Sequence, residues 1–359
     1  MTAVVLYNAV SKDSAPDEQD VLVEAAAVSA ALQELGFAVE LLAAATSLDR
    51  LRGDLLQLKP TLIFNLVEAF CGRSRDAYRV AELLEDLGMP FTGGSARGIH
   101  LTTDKPRAKT LLRRAGLPTP DWTTTLPKDG RLPFDPPFIL KPAKEDASIG
   151  IDAAAVCRNK EELAAELQRR QDRRRVYFIE QFIDGREFNV SLLINGRTFE
   201  VLPPAEIRFV DYPPDKPRIV DYAAKWTEDS FEYRHTVRSF DFAGNDEVLL
   251  AQLNELAVRA AELFENRGYL RVDLRVDTEN RPWILEINVN PCISPDAGFA
   301  AAAARAGLSY AQLIGRIVEN AFQASFPNRR PSCTLPEVSD SASIVPRPGF
   351  PGRAENRER

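Results

Sequence analysis

The stretch RVDLRVDTENRPWILEINVN, residues 271–290, decides how the C-terminal half of this chain reads. Side chains alternate between the two faces of a strand, so Arg271 and Asp273 share one face while Val272, Leu274 and Val276 share the other. The returning run carries Glu286 and Asn288 between Leu285 and Ile287. If the runs pair through a turn at Thr278-Glu279-Asn280, two carboxylates and an amide oxygen meet on one patch of sheet. Like charges about 4 Å apart repel by roughly 1 kcal/mol in water and about 4 kcal/mol near a protein surface, so something must compensate. A hard divalent cation does this, and oxygen donors of this kind suit Mg²⁺ alongside phosphate. Ordinary surface pairing of Asp273 and Glu286 with Arg271 and Arg275 would do it as well.

Working outward, 359 residues with 45% hydrophobic content suffice for a large core in two or three domains. A net charge of -7 gives no excess of Lys and Arg, so a general nucleic-acid surface is not expected. Cys71, Cys157, Cys292 and Cys333 show no CxxC spacing, which points to a reducing cytoplasm. No apolar run reaches membrane-spanning length and no signal-like segment opens the chain. His100 and His235 stand in unrelated contexts, leaving little room for a triad, a histidine-bound metal or a phosphohistidine.

Strand and helix patterns alternate from Ala3 to Gly94, including Leu62 to Leu66 as a buried strand. They predict an open α/β layer over residues 1–101. A central unit over 102–184 follows, with a helix from Lys105 to Arg114, an apolar Phe138-Ile-Leu140 and an apolar Val176 to Ile179. Residues 185–326 are strand-rich and contain the hairpin. The Pro-, Ser- and Arg-rich stretch 327–359 is expected to be a disordered tail.

Two more segments carry chemistry. In FILKPAKEDASIG, residues 138–150, Lys141 closes an apolar strand and a small-residue loop follows that offers N–H groups to anions. This is not the GxxxxGK[ST] pattern of Walker-type NTPases. In VYFIEQFIDGRE, residues 176–187, an apolar strand empties into acidic residues suited to a nucleobase pocket, or to an acidic hinge.

In order, IFNLVE, MPFTGG, TDK, FILKP, EQFIDGREF, DYAAKW and RVDLRVD...LEINVNP resemble the ATP-grasp superfamily, and within it the D-alanine:D-alanine ligase-like carboxylate-amine ligases. The likeness runs from about Val4 to Ala324. It implies a three-part ATP-grasp fold, with ATP between the central and C-terminal subdomains. It also implies two Mg²⁺ ions, with Mn²⁺ as a substitute, on Asp273, Glu286 and Asn288. Lys105 and Lys141 match the lysines that grip the α- and β-phosphates, and Ser148 belongs to the loop over them. Glu180, Phe182, Ile183 and Glu187 match the adenosine site. Lys225 matches a lysine that closes over the γ-phosphate, and Arg271 the arginine that steadies the oxyanion. Pro203 to Lys225 would be a lid. Small-molecule carboxylate and amine substrates are the partners implied, with homodimerisation an analogy.

The likeness thins at the substrate pocket. Glu18 is the candidate for the first substrate's ammonium, Ala147-Ser148 replaces a serine pair, Trp226 stands at a tyrosine position, Cys292 replaces a glycine and Ala297 a serine. These departures suggest substrates that are not both D-alanine. A D-alanine:D-alanine ligase of cell-wall synthesis, or an ATP-binding module without turnover, are the competing expectations.

Overall fold

The computed structural model describes residues 1–325 apart from 12–13, 45–46, 127–130, 171–174, 197 and 265–266. The tail expected over 327–359 lies outside the described residues.

The chain opens with β1 (Thr2–Asn8), α1 (Pro16–Glu34), β2 (Ala38–Ala44), α2 (Leu48–Leu58) and β3 (Leu62–Asn65), the strands forming a parallel sheet ordered β2-β1-β3. Alternate residues of its central strands enter two cores. Val4, Leu6 and Ile63 pack with Leu51 and Leu55 of α2, while Ala3, Val5 and Phe64 pack with Val28 and Leu32 of α1. Burial on both faces is what a parallel sheet between helices demands. Next come α3 (Tyr78–Asp86), α4 (Ala96–Thr103) and α5 (Lys105–Arg114). Asp104, the aspartate of the TDK run, caps α5 by accepting from Arg107 N at 3.2 Å.

The MPFTGG run has a structural cause. A Cβ on Gly94 would lie 2.8 Å from Cγ2 of Val289, and one on Gly93, at φ +86°, would lie 2.5 Å from Oδ1 of Asn290. Only glycine lets the N-terminal layer approach the loop after the hairpin this closely.

The second sheet combines β4 (Trp122–Thr123), β5 (Phe138–Pro142), β6 (Val156–Cys157) and, after α6 (Lys160–Arg169), β7 (Tyr177–Gln181) in the order β4-β7-β5-β6. Phe138, Leu140 and Ile179 bury one face of it against Leu163 of α6. The third sheet begins with β8 (Arg186–Asn195), β9 (Thr198–Val201) and β10 (Ala205–Phe209). After the short helices α7 (Tyr222–Trp226) and α8 (Phe231–His235) it adds β11 (Thr236–Ser239). After α9 (Glu247–Leu263) it gains β12 (Gly268–Val276) and β13 (Pro282–Asn288), in the order β11-β10-β8-β12-β13 with β9 on β8. Helices α10 (Gly298–Arg305) and α11 (Tyr310–Ser325) close the described chain, and Ile314 and Ile317 of α11 join the core beneath the first sheet.

The hairpin forms as its alternation predicts. Asp273 faces Glu286 and Arg271 faces Asn288 in antiparallel register, while Val272, Leu274 and Val276 are buried on the opposite face. Oδ1 of Asp277 accepts from Glu279 N and Arg281 N at 3.0 and 2.9 Å, an Asx-type turn, with Asn280 at φ +61°. Alternation does not foresee the register shift beyond Asp273. Leu274 pairs with Ile284, so Leu285 is the extra residue of a bulge, which re-aims the strand just before Glu286. The Pro203–Lys225 stretch is likewise more ordered than a simple lid, containing β10 and most of α7.

Candidate active site

The three sheets meet around a cavity of about 620 Å³, lined among others by Lys105, Lys141, Glu180, Arg271, Asp273 and Glu286. Lys105 sits in the first turn of α5, where its Nζ bridges Oδ1 of Asp146 at 2.6 Å and Oε2 of Glu286 at 3.2 Å. Burial opposes its charge, but these two acids more than offset this and hold the ammonium above its usual range. One turn on, Lys109 points the same way. Its Nζ lies 2.6 Å from Oε2 of Glu180, and Lys141 at the end of β5 lies 2.6 Å from Oε1. Lys109 also donates to Oγ1 of Thr119, whose hydroxyl donates to the carbonyl of Ile284, both at 2.9 Å. Burial pushes the Lys109 ammonium down to about 8 despite the pull of Glu180. Glu180, the predicted adenosine ligand, lines the cleft but is first of all the counter-ion of two lysines. Burial would raise its pKa, yet the paired ammonium groups lower it.

Asp273, Glu286 and Asn288 converge as predicted. Arg271 clamps Asp273 bidentately, Nε to Oδ1 at 2.7 Å and Nη2 to Oδ2 at 2.9 Å, and Nδ2 of Asn189 adds a third bond at 2.7 Å. Of the two foreseen forms of compensation, the arginine pairing is the one seen here, since Arg271 of the same strand face holds the Asp273 carboxylate in a buried cleft. Burial pushes Glu286 up, but Lys105, Lys225, Lys141 and Arg271 overcome it and hold its carboxyl well below the usual carboxylate range. Oδ1 of Asn288 accepts from Asn290 N at 3.1 Å. Two carboxylates on facing strands and a neighbouring amide oxygen are a hard-oxygen set that fits Mg²⁺. Among the described residues no cluster of three His, Cys, Asp or Glu side chains supplies an alternative.

The predicted nucleoside wall of Phe182, Ile183 and Glu187 lines the same cavity, with an arginine beneath it. Arg275, 3% exposed, donates through Nε and Nη2 to Oε2 of Glu187 at 3.1 and 2.8 Å and through Nη1 to the carbonyl of Ile183 at 2.7 Å. The carbonyl of Arg218 accepts from it too, and the guanidinium lies 5.0 Å from the ring centroid of Phe182. The Ile183 carbonyl is therefore engaged, and both Arg275 bonds to Glu187 fall on a single carboxylate oxygen.

The small-residue loop turns through Ala147 and Ser148, at φ +56° and +59°, and docks on the lid segment. Ser148 Oγ donates to the carbonyl of Val220 at 2.8 Å, and Trp226 Nε1 to that of Ala147 at 2.9 Å. Trp226 thus pins α7 to the loop while lining the cavity. Lys225 faces the same cavity, its ammonium lowered by burial and by Arg271. Tyr222 OH reaches across to Oδ1 of Asp17 at 2.7 Å, tying α7 to the start of α1.

Glu18 requires a correction. It lies exposed on α1 and does not line the cavity, because helical spacing turns Asp20 and Glu24 inward instead. Glu24 is 3% exposed and accepts from Ile293 N at 2.6 Å. Glu68 joins them, held by Asn8, whose Oδ1 accepts from Glu68 N and Ala69 N at 3.0 and 3.1 Å. Burial, with Asp146 and Asp20, pushes Glu68 up to about 7, and burial with Glu68 raises Glu24 strongly. Cys292 lies in this acidic corner, its Sγ 3.4 Å from Oδ2 of Asp20. Burial and the acids raise its thiol pKa well above normal, which disfavours the nucleophilic thiolate. Glu68 was in view as the acid of IFNLVE, and the Asp20/Glu24 and Lys105/Lys109 spacings of four were readable signals. Arg275, expected as a surface partner of Asp273 and Glu286, is instead buried and paired with Glu187, which its own strand did not signal.

The fold and this cleft define an ATP-grasp enzyme. Residues 111–319 match the family model described as D-ala D-ala ligase C-terminus. Uncharacterized protein y4sG of Sinorhizobium fredii is 32% identical over 313 residues, covering 84% of this chain and 88% of its own length. The D-alanine--D-alanine ligase of Aquifex aeolicus is 29% identical over 296 residues, covering 81% and 92%. In structure, the chain superposes on the D-alanine--D-alanine ligase from Bacillus anthracis complexed with ATP with a TM-score of 0.69. That likeness covers 90% of this chain and 98% of the other at 21% identity, and so concerns the fold. The chain belongs to the D-alanine–D-alanine ligase family of ATP-dependent carboxylate–amine ligases. Among the described residues, no helix is long and apolar enough to cross a membrane.

Proposed function

We propose that this protein joins an amino-acid carboxylate to an amine at the expense of ATP, and that at least one of the two substrates is not D-alanine. The central and C-terminal units, 102–184 and 185–326, would hold the nucleotide between them, with Lys105 and Lys141 on its phosphates. Glu187 keeps Oε1 clear of Arg275 and would accept from the ribose. Asp273, Glu286 and Asn288 would hold Mg²⁺, which when bound neutralises the terminal phosphates. The substrate carboxylate oxygen attacks the γ-phosphorus, the bond to ADP breaks, and an acyl phosphate forms. The amine then attacks the acyl carbon, loses a proton, and inorganic phosphate leaves. Arg271 and Lys225 face the developing negative charge, and α7 with the 143–150 loop keeps water from the acyl phosphate. No protein nucleophile is required.

The observation that carries the substrate reading is the acidic corner. Asp20, Glu24 and Glu68 would take over the ammonium role expected of Glu18, and three crowded carboxyl groups beside Cys292, with Glu24 and Glu68 held up toward protonation, make a different pocket from that of a single acid. The relatives whose names state an activity are D-alanine ligases, so D-alanine is the reference substrate. The test is a hydroxylamine-trapping screen with ATP and Mg²⁺ over amino acids of both configurations. A hydroxamate yield from another acid above that from D-alanine supports the reading. D-alanyl-D-alanine as the dominant product by mass spectrometry overturns it, and no hydroxamate from any acid overturns the ligase assignment.

A further inference from the structure

Where the acidic corner borders the reacting centre stands a carboxylate whose oxygens no other residue holds. Strand β3 ends at Asn65, whose Oδ1 accepts from Val67 N at 3.2 Å and turns the chain out of the sheet. Val67, 1% exposed, anchors this turn in the core. Asn8, at the end of β1, fixes the next two N–H groups. The backbone of Glu68 is therefore held on both sides, and the residue lines the cavity.

The neighbouring acids are already engaged. Asp146 and Glu286 share Lys105, Asp273 is clamped by Arg271, and Glu24 accepts from Ile293 N. Among the described residues, no donor reaches the Glu68 carboxylate and no histidine lines the cavity. The titratable groups around Glu68 come from every wall. They are Asp20 and Glu24 of α1, Asp146 of the 143–150 loop, Lys225 of α7, Arg271 and Tyr269 of β12, and Cys292 after β13. Burial, then Asp146 and Asp20, raise the Glu68 carboxyl to about 7, with Lys225 and Arg271 pulling it down. Those two cations are the groups that face the charge developing on the acyl phosphate, so Glu68 stands beside the place where the amine must attack.

We propose that Glu68 is the general base of the second half-reaction, taking a proton from the acceptor's ammonium so that its nitrogen can attack. The proposal rests on the ligase reading above and leaves Asp20 and Glu24 to the donor's ammonium. An amine that enters as R–NH₃⁺ has no free electron pair. One proton passes to the Glu68 carboxylate, and the freed pair forms the C–N bond at the acyl carbon. The C–O bond to phosphate then breaks with its electrons, and the departing phosphate takes the second proton from the new amide nitrogen. Glu68 returns its proton to solvent once product has left. A base that titrates near the working pH can both accept and release that proton in each turnover.

The test uses the full chain with ATP, Mg²⁺ and the donor acid giving the highest hydroxamate yield. Amino acids serve as acceptors that must lose a proton before attack, and hydroxylamine, uncharged at neutral pH, as one that need not. With amino acids the wild-type acceptor kcat/KM should rise with pH and level off above about pH 7, and with hydroxylamine that bend should be missing. Glu68→Gln should lower amino-acid coupling at neutral pH by about 100-fold or more, the usual scale of a lost general base, and hydroxamate formation by less than about threefold. Coupling by the variant should climb about tenfold per pH unit as free amine accumulates, and Glu68→Asp should recover part of the loss. Variant coupling within about tenfold of wild type overturns the proposal. So does hydroxamate formation that falls as far as coupling, which would assign Glu68 to the donor, and so does a wild type that makes hydroxamate yet couples no amino acid. Absence of hydroxamate from every acid instead removes the ligase reading beneath it.

Discussion

The two ends of the cleft treat buried charge in opposite ways. At the nucleotide end Glu180 faces Lys109 and Lys141, Glu286 faces Lys105, and Glu187 faces Arg275. At the substrate end Asp20, Glu24 and Glu68 crowd one another, and burial with mutual repulsion drives Glu24 and Glu68 toward protonation. The first end is a preorganised scaffold whose charges are already compensated. The second is left in a state that a cationic group would relieve, so stability should reside in the one and be given up for binding in the other.

The sharpest way to break this contrast is at Glu286, the acid shared by the lysine array and the proposed metal set. Glu286→Gln should reduce ADP release by about 1000-fold, about 4 kcal/mol of barrier, because the Mg²⁺ that would neutralise the terminal phosphates loses a carboxylate ligand. Its melting temperature should fall, but by less than that of Glu180→Ala, since Asp146 still pairs with Lys105. Turnover within tenfold of wild type would reject the assignment of these strands as the metal cradle.

Glu180 tests the scaffold claim through stability. Its removal leaves Lys109, 1% exposed, and Lys141 without the carboxylate between them. Glu180→Ala should cost about 3–5 kcal/mol in denaturant unfolding, the usual consequence of orphaning buried charge. A loss below about 1 kcal/mol, the range of surface pairs, would mean the lysines are solvated and the end is not a rigid scaffold.

At the acidic end the same kind of substitution should have the opposite sign. Glu68 is raised from an ordinary 4.5 to about 7 in the folded chain. Between these values the native state binds more protons than the unfolded state, so the group's contribution becomes less favourable as pH rises through this window and stays so above it. Glu68→Gln should therefore stabilise the substrate-free protein at pH 8 by about 1–3 kcal/mol and do little at pH 4.5. Equal effects at both pH values, read by thermal melts, would show that Glu68 is not held by burial and its neighbouring acids.

This division also marks what the sequence could reveal. The nucleotide end is built from side chains on strands and in first helical turns, where alternation and helix spacing fix direction, so Lys105, Lys141, Asp273 and Glu286 were readable from the order of their segments. The acidic corner draws on α1, the loop after β3 and the loop after β13, and no local period relates those three. Glu18 was accordingly named without Asp20 or Glu24, because choosing among acids on one helix requires knowing which face another unit covers. The bulge at Leu285 and the burial of Arg275 escaped for a similar reason. Each depends on a neighbouring strand rather than on its own run.

The smallest expected effect lies where the two ends are latched together. Tyr222 of α7 donates to Asp17 at the start of α1, while Trp226, one turn away, holds α7 to the 143–150 loop. Tyr222→Phe removes only the first tie, so global stability should change by about 1 kcal/mol or less. The lid, however, should open more often over the acyl phosphate, and water would then compete with the amine. The ratio of ATP consumed to product formed should rise by about two- to fivefold, roughly what a lost bond of 0.5–1 kcal/mol permits. An unchanged ratio with a raised KM for ATP would place the latch on nucleotide entry. In that case the acidic and nucleotide ends would close as a single unit, and the difference between them would be one of charge alone.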